Sequence, residues 1–302
     1  MSDLEQRDNP YNVTQASRIY FLPNLMTAGN LFCGFGAVIL SIRARLLTDT
    51  GGEYQQLHAD LSSVALYTRA VWCILGAVIF DSLDGRLARM GGRTSLFGAE
   101  FDSLADVVSF GVAPALMVFF LILAPRAEYQ WFRELGWIIA FIYLLCGAVR
   151  LARFNVITNP LLHRAEAESS KDFIGLPIPA AAGTVASLVL LLLNLAENQH
   201  EIRQWALGLP LVLVLVSFLM VSTVRYPSFK QVNWEMKTRF RTFVMVFVII
   251  VLVWRLQEIA VFFIFLGYIL YGILTHYRRG VRHAQLRALR RKVVKMRQDS
   301  PE

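Results

Sequence analysis

The sequence is short of charge, histidine and cysteine. Charged residues make up only 17% of the 302, where a soluble domain averages near a quarter. Its 3 cysteines, Cys33, Cys73 and Cys146, all sit inside apolar runs. They form no CxxC pair and no cluster with the 5 histidines, which argues against a disulfide framework or a zinc site. They read as small apolar residues packed between helices. The first twenty residues, MSDLEQRDNPYNVTQASRIY, are polar. They lack the short apolar core and small-residue cleavage site of a secretory signal. The first apolar run, from Phe21, is therefore expected to be an uncleaved span. No internal repeat is visible, and the linkers expected on the far side of the membrane are too short for a sizeable soluble domain.

What the chain has in abundance is apolar residues, 56% of the total, blocked into long runs. Such runs read as membrane helices. The expectation is an all-α, polytopic membrane protein of about eight spans. They fall near 22–42, 64–83, 100–124, 136–155, 176–195, 206–224, 241–255 and 258–276. The seventh is short and close to the eighth, so the pair reads as a tight hairpin or a shallow segment. The chain divides into a polar segment 1–20, a transmembrane domain 21–276 and a basic tail 277–302.

With an even number of spans both ends share one side. That side collects Arg7 and Arg18, then Arg86, Arg89 and Arg93, then Arg150, Arg153, Arg164 and Lys171. It also collects the basic residues from Arg225 to Arg241 and those of the tail. These are the larger share of the 30 lysines and arginines, and the positive-inside rule puts them in the cytoplasm. The net charge of +8 is thus explained by topology. Nucleic acid is not an expected partner, because the basic tail adjoins a span and lacks interleaved aromatics. Two readings stand for that tail: a basic helix on anionic lipid headgroups, or a solvated helix that fixes topology.

At the end of the second span the sequence turns to DSLDGRLARMGGRTSLFGAEFDSLADVVSFGVAPA. Ionisable residues at membrane depth are costly and default to a functional reading. Asp81 and Asp84 are three apart and share a helix face, as do Asp102 and Asp106, four apart. Gly91 and Gly92 lie between the pairs and break helical order. A helical hairpin would bring the two pairs face to face. Four carboxylates there repel one another unless a cation sits among them. Oxygen-only donors suit Mg²⁺ or Mn²⁺, and two ions would fit phosphoryl chemistry. Gly85 and Gly98 allow a ligand close to the backbone. Arg89, about two turns from Asp81, can pair with a diphosphate.

The run Asp81-x2-Asp84-Gly85-x2-Ala88-Arg89-x8-Gly98-x3-Asp102-x3-Asp106 resembles the signature of the CDP-alcohol phosphatidyltransferase family throughout. FGAEFDSLADVVSFGVAPA, RLARFNV, FIGLPIPAAAG and LPNLMTAGNLFCG, all within residues 20–185, are similar to transmembrane-type bacterial phosphatidylserine synthases. The resemblance implies a six-helix core, a homodimer, and transfer of the phosphatidyl group of CDP-diacylglycerol to an alcohol with release of CMP. It implies L-serine as that alcohol and the bacterial inner membrane as the location. It implies that Asp81, Asp84 and Asp102 are the main metal ligands. Asp106 would take the proton from the alcohol and touch metal as well. Gly85, Ala88 and Gly98 would form the nucleotide cradle, with Arg89 on the diphosphate.

Three groups beside the aspartates stay open. Arg150 and Arg153, three apart at the end of the fourth span, read with Asn155 as a pocket for the acceptor carboxylate or a lipid phosphate, or as topological anchors. Pro177 and Pro179 open the fifth span and read either as shaping the pocket floor or as purely structural residues at the start of the helix. Asn24, Thr27 and Asn30 are polar residues in an apolar run: they reach the cytidine, or they bond other helices. Two rival functions also stand: the same chemistry on glycerol 3-phosphate, inositol phosphate or choline, and divalent-cation transport through the carboxylates. Against transport, the cluster lies at a membrane edge and no inverted repeat is seen.

Overall fold

A computed structural model describes residues 21–49, 62–90, 96–123, 130–158, 173–197, 208–226 and 259–278. The helices are α1 (Phe21–Asp49), α2 (Ser63–Met90), α3 (Leu96–Asp106) and α4 (Ala113–Val118). They continue with α5 (Gln130–Thr158), α6 (Ile178–Glu197), α7 (Gly208–Val221) and α8 (Ile259–Arg278). Two short strands, β1 (Phe173–Ile174) and β2 (Arg225–Tyr226), pair antiparallel. Among the described residues six stretches are long and apolar enough to cross a membrane, and α7 is a shorter apolar helix. The protein is an all-α, multi-pass membrane protein. Of the expected spans, 241–255 lies outside the described residues, as do the polar segment 1–20 and the tail beyond residue 278.

The sequence explains this construction. α1 has 29 residues, about 44 Å of helix at 1.5 Å per residue, which is ample for a bilayer core of about 30 Å. The outward faces are apolar: Phe32 is 78% exposed, and Trp137, Phe141, Leu215, Phe218 and Phe263 are also exposed. Water would not tolerate so much apolar surface, whereas lipid does. The inward faces are built from small residues, among them Ala37, Ala70, Ala77, Ala113, Ala181 and Ala186, all fully buried. Small side chains let helices approach where lipid gives no hydrophobic drive between them. Buried hydroxyls bond to their own helix, as Ser41 does to the Ala37 carbonyl at 2.8 Å and Ser217 to that of Leu213 at 2.7 Å.

α1 and α2 form the most extensive packing in the fold. α3 and α4 belong to one continuous rod with a π-helical turn, Val107–Val112, between them and another, Phe119–Leu123, after α4. The first π turn starts immediately after Asp106. It meets α1 at Gly34, where a Cβ would collide with Ser109, backbone included. Ser109 donates to the Asn30 carbonyl at 2.9 Å, and Tyr143 of α5 donates to the Phe110 carbonyl at 3.0 Å. Widened turns of this kind recur at functional sites.

Before α6 the chain turns at Gly175, whose φ is +82°. A side chain there would be strained and would strike the Met220 carbonyl. Gly175 N–H donates to the Val224 carbonyl at 2.8 Å and Leu176 N–H to that of Leu219 at 3.0 Å. These bonds and the β1–β2 pair join the start of α6 to the end of α7. Pro177 precedes α6 and Pro179 lies in its first turn, where a missing N–H costs nothing.

Candidate active site

Three elements meet at the aspartates. α2 brings Asp81 and Asp84 near its end, and α3 brings Asp102 and Asp106. α1 supplies the polar residues that hold them. Asp84 and Asp106 are buried, and Asp81 and Asp102 are half-buried. Carboxylate oxygens of Asp81, Asp102 and Asp106 all lie within 4.8 Å of one another. Asp84 lies within electrostatic reach of Asp102 and Asp81 and accepts from the Thr27 hydroxyl at 3.1 Å. The facing pairs expected from the i,i+3 and i,i+4 spacings are therefore present. Asp102 is inside α3, which starts at Leu96, so it is not a helix cap. Gly91 and Gly92 lie outside the described residues.

α1 does more than pack. Asn30 is fully buried, and its amide donates to Asp106 Oδ1 at 3.0 Å. Thr27, also buried, donates to Asp84 and faces the Pro23 carbonyl at 3.2 Å. Of the two readings open for these residues, the interhelical one describes their contacts here. Asn24 lies one turn earlier on α1 and is half-buried. The close approach is made possible by Gly29, where a Cβ would sit 3.0 Å from the Phe80 ring, next to Asp81.

The other candidates separate. Arg150 is only 9% exposed and lies within electrostatic reach of Asp106, Tyr268 and Asp81. Arg153 is exposed. Asn155 bonds Ser103 on α3, its amide donating to the hydroxyl at 2.9 Å. That bond ties the end of α5 to the residue after Asp102. Gly85 and Gly98 flank the cluster on α2 and α3, half-buried. Ala88 and Arg89 occupy the last turn of α2, and their side chains lie outside the described part of the structure.

Among the described residues, the buried atoms Asp102 Oδ1, Asn30 Oδ1 and Arg150 Nε have no hydrogen-bond partner. Orphaned buried polar atoms are uncommon and call for an explanation. A cluster of hard oxygen donors with an unpartnered carboxylate oxygen fits a divalent cation of the Mg²⁺ or Mn²⁺ kind. An arginine beside that cluster can hold a further anionic group.

Several residues that shape the site were not singled out from sequence. Gly29 and Gly34 carry the signal of small residues within an apolar run. Ser103, Ser109, Tyr226 and Tyr268 carry none, since only tertiary contacts place them.

The family model described as CDP-alcohol phosphatidyltransferase matches residues 20–216. The chain is 37% identical over 257 residues to a CDP-diacylglycerol--serine O-phosphatidyltransferase of Helicobacter pylori strain J99, covering 85% of this chain and 91% of the relative. It is 34% identical over 208 residues to an archaetidylserine synthase of Methanothermobacter thermautotrophicus, covering 68% and 69%. With a Saccharomyces cerevisiae protein named CDP-diacylglycerol--serine O-phosphatidyltransferase it shares 36% identity over 167 residues, covering 55% and 52%. The carboxylate hairpin built by α2 and α3 falls inside the matched stretch, and the chain belongs to the CDP-alcohol phosphatidyltransferase family of enzymes.

Proposed function

We propose that this enzyme transfers the phosphatidyl group of CDP-diacylglycerol to the hydroxyl of L-serine, giving phosphatidylserine and CMP. The observation that carries the reading is the cluster of Asp81, Asp102 and Asp106 with Arg150 beside it. The serine in the names of its bacterial, archaeal and yeast relatives supports the choice of acceptor.

In this mechanism the serine hydroxyl oxygen attacks the phosphorus on the lipid side of the diphosphate. A new P–O bond forms, the bond to the bridging oxygen breaks, and CMP leaves. Asp106 takes the hydroxyl proton near the transition state, with Asn30 fixing the carboxylate by its hydrogen bond. Divalent metal held by Asp81, Asp84, Asp102 and Asp106, as two ions, would neutralise the diphosphate and the charge that develops on departing CMP. Gly85, Ala88 and Gly98 admit the nucleotide close to α2 and α3, and Arg89 pairs with its diphosphate. A serine hydroxyl is a weak nucleophile at neutral pH, so orientation by the Arg150 side of the site supplies part of the rate.

The reading extends to the setting. The enzyme is a homodimer of the bacterial inner membrane, with its termini and active site on the cytoplasmic side. The basic-residue bias supports that orientation. The catalytic domain spans 21–276.

The test is CMP release from CDP-diacylglycerol by the purified enzyme in lipid vesicles, with L-serine, glycerol 3-phosphate, inositol phosphate or choline as acceptor. Serine-dependent release alone is expected. Release driven by one of the other alcohols would move the enzyme to another branch of the family. Metal uptake into the vesicles without nucleotide would favour transport instead.

A further inference from the structure

The wall of the site behind Arg150 is built by chain outside the matched stretch. The family model ends at residue 216, and Tyr226 and Tyr268 lie beyond it. Tyr226 is fully buried, and its hydroxyl has no hydrogen-bond partner among the described residues. Two contacts fix its ring. Its backbone pairs with Phe173 in the β1–β2 ribbon, and the ring lies against Gly272 of α8, where a Cβ would collide with it. The Tyr268 ring, one turn earlier on α8, packs on it with centroids 5.7 Å apart and planes at 34°. Tyr268 in turn lies within electrostatic reach of Arg150, whose Nε is the other orphaned donor on this side.

An unpartnered buried donor costs about 1–3 kcal/mol, and this wall carries two. Arg150 Nε can only donate and the Tyr226 hydroxyl can donate, so a group rich in acceptors would satisfy both. A guanidinium beside the Tyr268 phenol, with Tyr226 packed on that ring, suits a planar group with two acceptor oxygens and negative charge. Arg150 lies within electrostatic reach of Asp106, the residue proposed to receive the hydroxyl proton. An acceptor held here by its carboxylate would present its hydroxyl to that aspartate.

We propose that Arg150, Tyr226 and Tyr268 form the pocket for the carboxylate of the acceptor amino acid, with the two tyrosines as its specificity-determining residues. This rests on the phosphatidylserine reading above. It assigns choice among alcohols to the ribbon and α8, and phosphoryl chemistry to the aspartates. The same donors could instead take a phosphate of the nucleotide lipid, and the kinetics separate the two sources.

The experiment compares wild type with Tyr226→Phe and Tyr268→Phe, both of which keep the ring and its packing. Full-length enzyme in vesicles is assayed for the KM of L-serine and of CDP-diacylglycerol. Serinol, which carries a hydroxymethyl group in place of the carboxylate, is the competing acceptor. Loss of one hydrogen bond to a charged group predicts a rise of about tenfold in serine KM. CDP-diacylglycerol KM stays within about twofold, and the preference for serine over serinol narrows by a similar factor. An unchanged serine KM in both variants, or a parallel rise in both KM values, would overturn the pocket. Wild type without serine-dependent CMP release would overturn the phosphatidylserine reading itself, a result distinct from failure of the variants.

Discussion

Asn30 on α1 donates a hydrogen bond to Asp106 on α3 at 3.0 Å, both residues being buried. The same asparagine accepts, through its backbone carbonyl, the Ser109 hydroxyl from the following π turn at 2.9 Å. One residue thus holds the aspartate and the turn after it. Replacing a partner that orients a site carboxylate typically costs 10–100-fold in activity or metal affinity. Asn30→Ala is expected to lower CMP release by about that factor while leaving the protein folded. Assay of turnover beside a thermal melt checks both halves.

Asp106 and Asp84 differ in what they touch, and their variants are expected to differ too. Asp106→Asn keeps the shape but removes the proton acceptor, so turnover should fall by about 10²–10⁴-fold with metal present. Near wild-type turnover would take Asp106 out of that role. Asp84→Ala strips the Thr27 acceptor and one metal-binding candidate together, and activity should vanish at any metal concentration.

The oxygen-only donor set makes a direct expectation for chelation. Treatment with EDTA should abolish CMP release, and Mg²⁺ or Mn²⁺ should restore it. Binding should also show without turnover. A cation at about 100 times its Kd stabilises the folded state by about 2.7 kcal/mol, and the melting temperature of the substrate-free protein should rise accordingly. Asp81→Ala, which breaks the trio within 4.8 Å, should lose that rise.

Gly34 tests the fit between α1 and the π turn. A Cβ there would lie 2.5 Å from Ser109 Cα and closer still to its side chain. Overpacking of this sort costs about 1–3 kcal/mol, so Gly34→Ala should lower the melting temperature and the activity together. Adding Ser109→Gly should recover only part of the loss, since the Cα clash remains and the bond to the Asn30 carbonyl is gone.

Burial pushes the Tyr226 phenol up to about 12, with Tyr268 adding to the shift. In the unfolded chain the same group ionises near 10. Below pH 10 both states hold the proton and this group adds no pH dependence. Above it the unfolded state gives up its proton first, so stability falls as pH climbs from about 10 toward 12. Thermal melts across that range should be steeper in wild type than in Tyr226→Phe.

How much of the site can be read from sequence depends on the range of the contact. Asp81 with Asp84, and Asp102 with Asp106, are close in sequence, so helical spacing alone gives their shared faces. Thr27 and Asn30 meet their aspartates 57 and 76 residues away. Nothing local distinguishes that from contact with a base; only the packing of α1 against α2 and α3 does. Arg150 and Arg153 show the limit of spacing even within one helix. Three residues leave them about 60° apart around the axis, enough to carry one into the interior and the other to the exposed surface. The π turn after Asp106 is invisible for a related reason: the residues VVSFGV are good membrane-helix residues, and the wider turn is set by the contacts with Gly34 and Tyr143. The eight expected spans overlap the long helices and α7 wherever residues are described.

The β1–β2 ribbon has only two residues in each strand, far too little to stand alone. Its place is set by what it fastens, the entry of α6 to the exit of α7, with the Tyr226 ring lodged against α8. The matched stretch ends at residue 216, inside α7, so a boundary drawn from sequence likeness cuts this fastening in half. A chimaera joined there would put this chain's Phe173 and Gly175 opposite a relative's segment in place of Val224 and Tyr226. The unit to exchange between relatives is the catalytic hairpin on one side, or the ribbon with both of its strands and α8 on the other.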